Sequence, residues 1–202
     1  MAKTPTQVIY SYTGRLVGPN NLTPSLQDIS TQLGRICRYA GAGVKFWSVL
    51  LHSLVVADLL PERLKIYGLL HDATESMVGD IPRGFKDQWV SDTEDFMFGR
   101  ILEEFDIPLL NTAEHMEVKI ADDRALAGEV WTVGTASLQS YYPKRDIEAE
   151  ELVLFYASKF PPEDTIRPDG MAVLEFNARF RDYKDFVSTP HSKHARATGP
   201  VA

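Results

Sequence analysis

The sequence predicts an all-α fold, a single helical bundle, from three observations. Apolar residues recur at helical spacing over most of the chain, whereas the alternation typical of strands is scarce. Capping residues and prolines stand where such segments begin and stop. With 202 residues, 44% of them hydrophobic, the chain suits one compact domain that needs no disulfide to fold. We therefore expect one domain over residues 1–189 and a disordered tail over 190–202.

The first elements follow from turn and cap residues. Residues 1–22 hold two glycines, two prolines and two asparagines, which predict an irregular or short extended lead-in. Thr23-Pro24 fits an N-cap followed by proline at the first helical position. Apolar residues at helical spacing up to Cys37 then predict a first helix that ends near Gly41.

The second predicted helix, 46–60, is apolar on nearly every side, as expected for a helix buried inside a bundle. Pro61 stops this helix, and a third helix over 62–76 precedes a loop over 79–84. Periodicity predicts four further helices, over residues 87–105, 112–133, 147–160 and 171–187.

Composition excludes several classes of protein. A net charge of -7 argues against a broad nucleic-acid surface, although a few converging basic residues can still bind a small anion. The single cysteine, Cys37, excludes a disulfide-stapled secreted fold. No apolar stretch reaches the ~18 residues of a membrane helix, and the start lacks the apolar core of a signal peptide. We therefore expect a cytoplasmic protein without membrane contact.

Residues with metal-binding chemistry concentrate at His71-Asp72. On a helix, Glu75 lies four residues after His71 and three after Asp72. Viewed along the helix axis, the Glu75 side chain therefore falls between the other two. An imidazole and a carboxylate can then bind a divalent cation from one side, with a second carboxylate above it. The alternative is a core histidine capped by a carboxylate, and the pair alone does not decide between the two.

His52 lies in an otherwise apolar helix, where a buried imidazole needs a polar partner. A lone histidine of this kind is more often a hydrogen-bonded core residue than a ligand. Because the helices of His52 and His71 are consecutive and joined by a short turn, the two imidazoles can face each other, which favours a metal. Asp122 or Asp123 offers a further ligand, and helical periodicity does not choose between them.

The ordered set of His52, His71-Asp72 and Asp122 resembles the H…HD…D signature of the HD-domain metal-dependent phosphohydrolases. The match extends to four segments, at residues 52–57, 71–75, 79–82 and 118–122. These segments resemble the bacterial 5′-deoxynucleotidase branch. They are also similar to the phage HD enzymes that hydrolyse dATP to deoxyadenosine and triphosphate. Two lead-in segments look more like the small phage-type proteins: 12–15 and 36–41. The resemblance spans about residues 10–135, and its Val-Lys-x-Ala pattern selects Asp122.

The resemblance implies a divalent metal bound by His52, His71, Asp72 and Asp122. A set of two histidines and two aspartates accepts Mn, Co, Zn, Mg or Fe, so the metal's identity stays open. Glu75 would orient or deprotonate the attacking water.

The same resemblance implies substrate-binding roles for further residues. Asp80 would hold the sugar 3′-hydroxyl, or a second metal in the triphosphate-cleaving enzymes. Arg38 would contact phosphate, and Tyr39 stands where the nucleotidase branch has a tryptophan near the sugar. Other cations can pair with phosphate oxygens or be solvated surface charges; these are Lys86, Arg83 and Lys119.

We therefore expect a metal-dependent hydrolase that cleaves the 5′ α-phosphate ester of a 2′-deoxynucleotide. The phage-like lead-in favours release of triphosphate from a dNTP, dATP first, over release of orthophosphate from a dNMP. Two other classes stay open: a catalytically silent HD module that binds a nucleotide, and an all-α scaffold with coincidental histidines and aspartates. Because homo-oligomers are common in the family, the resemblance also implies a homo-oligomer.

Overall fold

Helices make up nearly all the regular structure of the computed structural model, which describes residues 9–18, 24–142 and 144–188. The all-α prediction is confirmed, and the tail predicted at 190–202 lies outside the described residues. The elements are β1 (Ile9–Tyr10), β2 (Leu16–Val17), α1 (Leu26–Arg35), α2 (Val49–Asp58), α3 (Lys65–Leu70), α4 (Glu75–Val78), α5 (Gln88–Glu104), α6 (Thr112–Thr132), α7 (Ala136–Tyr141), α8 (Ile147–Lys159), α9 (Pro162–Ile166) and α10 (Met171–Ser188). Among these helices, none is both long and apolar enough to cross a membrane.

The lead-in forms a small hairpin that is fastened to α1. β1 and β2 pair antiparallel, and the Asp28 carboxylate on α1 accepts hydrogen bonds from the Thr13 backbone at 2.7 Å and hydroxyl at 3.0 Å. Asp28 also completes a capping box with Ser25, which is the N-cap of α1. The predicted N-cap at Thr23 is therefore wrong, and Thr23 itself lies outside the described residues.

The first helix is shorter than predicted, since α1 ends at Arg35. Cys37 lies in extended backbone and forms an isolated bridge with Ser48. In the short 3-10 turn that follows, Tyr39 and Ala40 adopt φ angles of 59° and 50°. Left-handed backbone costs an L-residue roughly 1–2 kcal/mol, so tertiary contacts must hold this turn in place.

The second predicted helix is the centre of the core. α2 packs against α1, α3, α6, α8 and α10. It begins three residues later than predicted because the Ser48 side chain caps it, accepting a hydrogen bond from the Leu51 backbone. Every residue from Val49 to Ala57 is buried, which confirms the prediction of a helix apolar on nearly every side.

The third predicted helix, 62–76, is interrupted. A 3-10 turn precedes α3, and α3 ends before a turn at residues 71–74 that leads into α4. Within that turn, the backbone N–H groups of Ala73 and Glu75 bond to carbonyls three residues earlier, a tighter winding than an α-helix. His71 and Asp72 thus lie on a turn between two short helices, so the prediction of one continuous helix is wrong.

The remaining predicted helices correspond to α5, α6, α8 and α10, each within two residues at either end. The short helices α7 and α9 were not predicted. α6 and α8 approach closely at Gly128, where an added Cβ would lie 2.7 Å from the Ala149 Cβ.

Candidate metal centre

The four predicted metal ligands lie together at the junction of α2, α6 and the turn after α3. The Nε2 atoms of His52 and His71 are 3.2 Å apart. Asp122 Oδ1 is 3.1 Å from the first of these atoms and 3.9 Å from the second. Asp72 Oδ2 is 3.6 Å and 3.2 Å from them, respectively. His52, His71 and Asp72 each offer one ligand atom, and these atoms lie within 4.8 Å of one another.

The two histidines meet because α2 and α3 approach closely at Gly68. An added Cβ there would lie 3.0 Å from the Ala57 Cα and 2.6 Å from a Leu60 methyl carbon, so a side chain would push the helices apart. The Gly68 carbonyl also lies 2.8 Å from Nδ1 of His71. Because a carbonyl only accepts hydrogen bonds, Nδ1 carries the proton and the lone pair of the ring is on Nε2.

Glu129, a fully buried residue on α6, supports the rear of this cluster. Its Oε1 lies 2.6 Å from Nδ1 of His52 and accepts a hydrogen bond from Nε1 of Trp47 at 2.8 Å. Its Oε2 accepts a hydrogen bond from the Tyr39 hydroxyl at 2.9 Å and lies 3.5 Å from the Arg38 guanidinium. One carboxylate thus connects a predicted metal ligand with two residues predicted to bind substrate.

The carboxylates of the cluster stabilise positive charge between them. Although burial raises the pKa values of Asp72 and Asp122, the neighbouring imidazoles and Arg38 lower both well below the usual range. Burial and Arg38 lower the pKa of His52, but Glu129 and Asp122 outweigh them and raise it to about 10. The cluster therefore favours a positive charge at this point, on a protonated imidazole or on a bound cation.

Glu75 faces the front of the cluster from the first turn of α4 and is only 3% exposed. Burial, together with the charges of Asp72 and Asp80, raises its pKa to about 9. Its Oε1 is 3.9 Å from Nζ of Lys86, which also pairs with Glu94 at 3.0 Å. Its Oε2 has no hydrogen-bond partner within the described part of the chain. This oxygen can accept a hydrogen bond from a water or a ligand.

Two cavities meet at the cluster, and four residues line both of them: Asp72, Glu75, Lys86 and Asp122. The larger cavity encloses about 410 Å³ and extends toward α7. The smaller one encloses about 170 Å³ and lies between α5 and α6. A molecule bound at the cluster can therefore extend in two directions.

The predicted substrate-binding residues divide between these cavities. Arg38, Tyr39 and Asp80 line the larger one, Lys119 lines the smaller one, and Lys86 lines both. The side chain of Arg83 lies outside what the structure describes.

Sequence reasoning missed Glu129 and Trp47. Glu129 follows Asp122 by seven residues, two turns on the same face of α6, and this spacing is the signal that could have found it. Trp47 offered no such signal. Asp123, the alternative to Asp122, instead lines a separate cavity on the other side of Tyr141 and Tyr142.

Comparison with known proteins adds one short similarity. No family model matches the chain. The chain is 39% identical over 61 residues to the uncharacterized protein YfdR of Escherichia coli (strain K12), a match that takes in 30% of this chain and 34% of YfdR. The chain therefore covers about a third of the length of this relative, and the relative's description names no activity.

Proposed function

We propose that this protein is an HD-type metal-dependent phosphohydrolase that cleaves the 5′ α-phosphate ester of 2′-deoxynucleotides. The observation that carries the proposal is the orientation of the two imidazoles. The Nδ1 atoms of His52 and His71 face a carboxylate and a carbonyl, whereas their Nε2 atoms lie 3.2 Å apart beside two aspartates. Converging lone pairs repel each other unless a proton or a cation lies between them.

The donor set fits a divalent cation. Metal-binding histidines usually donate their other ring N–H to a carboxylate or a backbone carbonyl, as both histidines do here. Two imidazole nitrogens and two carboxylates suit Mn, Co, Zn, Mg or Fe. When bound, such an ion lowers the pKa of water and neutralises charge on phosphoryl oxygens. Asp80, which lines the larger cavity with Glu75, is the proposed ligand of a second metal or of the sugar 3′-hydroxyl.

The chain supplies a base and a phosphate-binding cation beside this set. Water gives up a proton and adds its hydroxyl to the α-phosphorus, the bond between phosphorus and O5′ breaks, and O5′ takes up a proton from solvent and leaves as a hydroxyl group. Because the pKa of Glu75 is about 9 without a cation, the carboxyl would act as a base once the charge of a bound cation lowers that pKa; its open Oε2 would then orient the water and receive its proton. The Arg38 guanidinium lies 3.7 Å from Asp72 and lines the larger cavity, so it can contact phosphoryl oxygens.

The substrate we propose first is a dNTP, with dATP favoured, because the lead-in segments resemble those of the phage triphosphohydrolases. A dNMP, which would give orthophosphate, is the second candidate. The family resemblance also supports a homo-oligomer as the active form.

The test is a product analysis. The protein is incubated with Mn²⁺, Co²⁺, Mg²⁺ or Zn²⁺ and with each dNTP and dNMP, and the products are separated by chromatography. We expect deoxynucleoside and triphosphate from one dNTP, and no turnover by His71→Ala. Orthophosphate from dNMPs alone would make the protein a 5′-deoxynucleotidase. Turnover that survives in His71→Ala, or no metal-dependent turnover, would contradict the proposal and leave a nucleotide-binding module.

A further inference from the structure

We infer that the larger cavity binds the nucleobase against Tyr141 and Tyr142 at the end of α7, and that the smaller cavity receives the phosphates beyond the scissile bond. This inference rests on the proposed function. It comes from one juxtaposition: two cavities of unequal size and different lining open from the same candidate metal centre.

The volumes of the two cavities indicate which of them receives the nucleoside. Cavities that bind small molecules usually enclose about 300–1,000 Å³. The larger cavity, at about 410 Å³, falls in this range, and the smaller one, at about 170 Å³, has room for only part of a ligand. A nucleotide whose α-phosphate lies at the shared wall therefore places its nucleoside in the larger cavity.

The lining of the larger cavity suits a flat apolar ring. Beyond Arg38 and Asp80, most of its remaining lining residues are apolar or aromatic, among them Ile81, Pro82, Leu126 and Leu138. At its far end, the rings of Tyr141 and Tyr142 lie 4.9 Å apart at an interplanar angle of 76°. Tyr141 is 76% exposed, so its ring is accessible to a base that enters the cavity. Aromatic side chains stack on nucleobases with little preference for which base it is.

The smaller cavity carries two lysine cations that can pair with a phosphate chain. Lys119 lines it from α6, with His115 one turn earlier on the same face, and Lys86 lines it from the other side. Five carboxylates also line it, those of Asp72, Glu75, Glu94, Asp95 and Asp122, and Glu94 is paired with Lys86 at 3.0 Å. Because these carboxylates repel a free phosphate chain, we expect this cavity to bind the chain only as its complex with a divalent cation.

The first experiment tests the base site with Tyr141→Ser, a change at an exposed position. The KM for a deoxynucleotide is compared with the KM for deoxyribose 5-phosphate, which has no base, and deoxyadenosine binding is measured by calorimetry. We expect the ratio of the two KM values to rise about tenfold and deoxyadenosine binding to weaken by a similar factor. Tyr10→Ser is the matched control, because Tyr10 is 74% exposed and lines neither cavity.

Several outcomes would overturn the base site. Among them are an unchanged KM ratio in Tyr141→Ser, an equal change in Tyr10→Ser, and no binding of deoxyadenosine to the unaltered protein. A changed oligomeric state with unchanged deoxyadenosine affinity would make Tyr141 a subunit contact instead. Failure of the proposed function looks different: the unaltered protein would bind deoxyadenosine through Tyr141 but hydrolyse no ester.

The second experiment tests the smaller cavity with Lys119→Gln, an exposed position on α6. We expect kcat/KM to fall about tenfold more for the dNTP than for the corresponding dNMP, which has no phosphates beyond the scissile bond. Equal effects on both substrates, or turnover of dNMPs alone by the unaltered protein, would show that this cavity does not receive a phosphate chain.

Discussion

The rear and the front of the candidate metal centre each contain a buried glutamate, but the two differ in their hydrogen bonding. At the rear, both oxygens of Glu129 accept hydrogen bonds, from Trp47 and Tyr39, and Oε1 also contacts His52. At the front, Glu75 is nearly as buried, yet one of its oxygens has no partner within the described part of the chain. A buried carboxylate with complete hydrogen bonding stabilises the fold, whereas one with an open oxygen is suited to chemistry.

The pKa values of the two glutamates move in opposite directions because the charges beside them have opposite signs. Burial raises both, but His52 and Arg38 outweigh it at Glu129 and lower the pKa of that carboxyl. At Glu75, the charges of Asp72 and Asp80 add to burial. The rear carboxyl is therefore a fixed negative charge, and the front one exchanges protons in an accessible range.

The largest expected effect is on turnover in Glu75→Gln. Because the amide has the same shape but cannot receive a proton from water, we expect turnover to fall by about 10²–10⁴-fold. Stability at pH 7 should rise, because a buried carboxyl whose folded pKa is raised to about 9 destabilises the fold above its ordinary pKa and the neutral amide removes that cost. Product chromatography and urea unfolding measure the two quantities. Full turnover, or a large loss of stability, would contradict the distinction between front and rear.

For Glu129→Gln at the rear, the main expected effect is a loss of stability. Loss of the buried charge removes the partner of His52 and Arg38, and we expect stability to fall by about 3 kcal/mol. The affinity for Mn²⁺ should fall about 10–100-fold because His52 is no longer held in its Nδ1-protonated form. Urea unfolding and calorimetric titration with Mn²⁺ are the measurements. Unchanged Mn²⁺ affinity in a destabilised variant would make Glu129 purely structural.

Asp28→Asn provides the control for that variant, because Asp28 is also a buried carboxylate with several hydrogen bonds but lies near no histidine ligand. Although burial raises its pKa, hydrogen bonds from Ser25 and Thr13 outweigh it and lower the pKa to about 2. We expect a loss of about 1–2 kcal/mol at pH 7 and unchanged Mn²⁺ affinity.

The pH dependence of this control follows from the sign of the pKa shift. A carboxyl whose folded pKa is depressed stabilises the protein above its unfolded pKa, and that stabilisation is lost as the pH falls through the folded value. The difference in stability between Asp28→Asn and the unaltered protein should therefore be constant above about pH 4 and shrink toward about pH 2. A difference that persists at pH 2 would be inconsistent with an ionised Asp28.

The smallest effect is expected for Lys86→Met at the front. Lys86 is partly exposed and pairs with Glu94 and Glu75, so stability should change by less than about 1 kcal/mol. The KM for the nucleotide should rise several-fold because Lys86 lines both cavities. Thermal unfolding and steady-state kinetics check the two parts, and an unchanged KM would remove Lys86 from the substrate-binding residues.

Helical periodicity accounts for what could be predicted of the fold. The buried α2 and the position of α6 follow from patterns within each segment, and two histidines on consecutive helices can meet across a hairpin. The start of α1 was also within reach, because Ser25 followed three residues later by Asp28 is the sequence pattern of a capping box.

Features that depend on tertiary contacts escaped prediction. The turn at 71–74 contains no glycine or proline that would signal a break in the helix. A glutamate on a long helix of an acidic chain is normally solvated, and only the packing of three other elements surrounds Glu129 with donors. Local sequence does not encode such convergence.

The left-handed turn at Tyr39 and Ala40 has a consequence for the order of folding. Strained backbone persists only where surrounding structure holds it, and here the Tyr39 hydroxyl is held by Glu129, 90 residues later in the chain. We therefore expect the turn to reach its native shape only once α6 has brought Glu129 beside it. The side of the larger cavity lined by Arg38 and Tyr39 is therefore expected to form after α6 has docked and to open before the described helices separate.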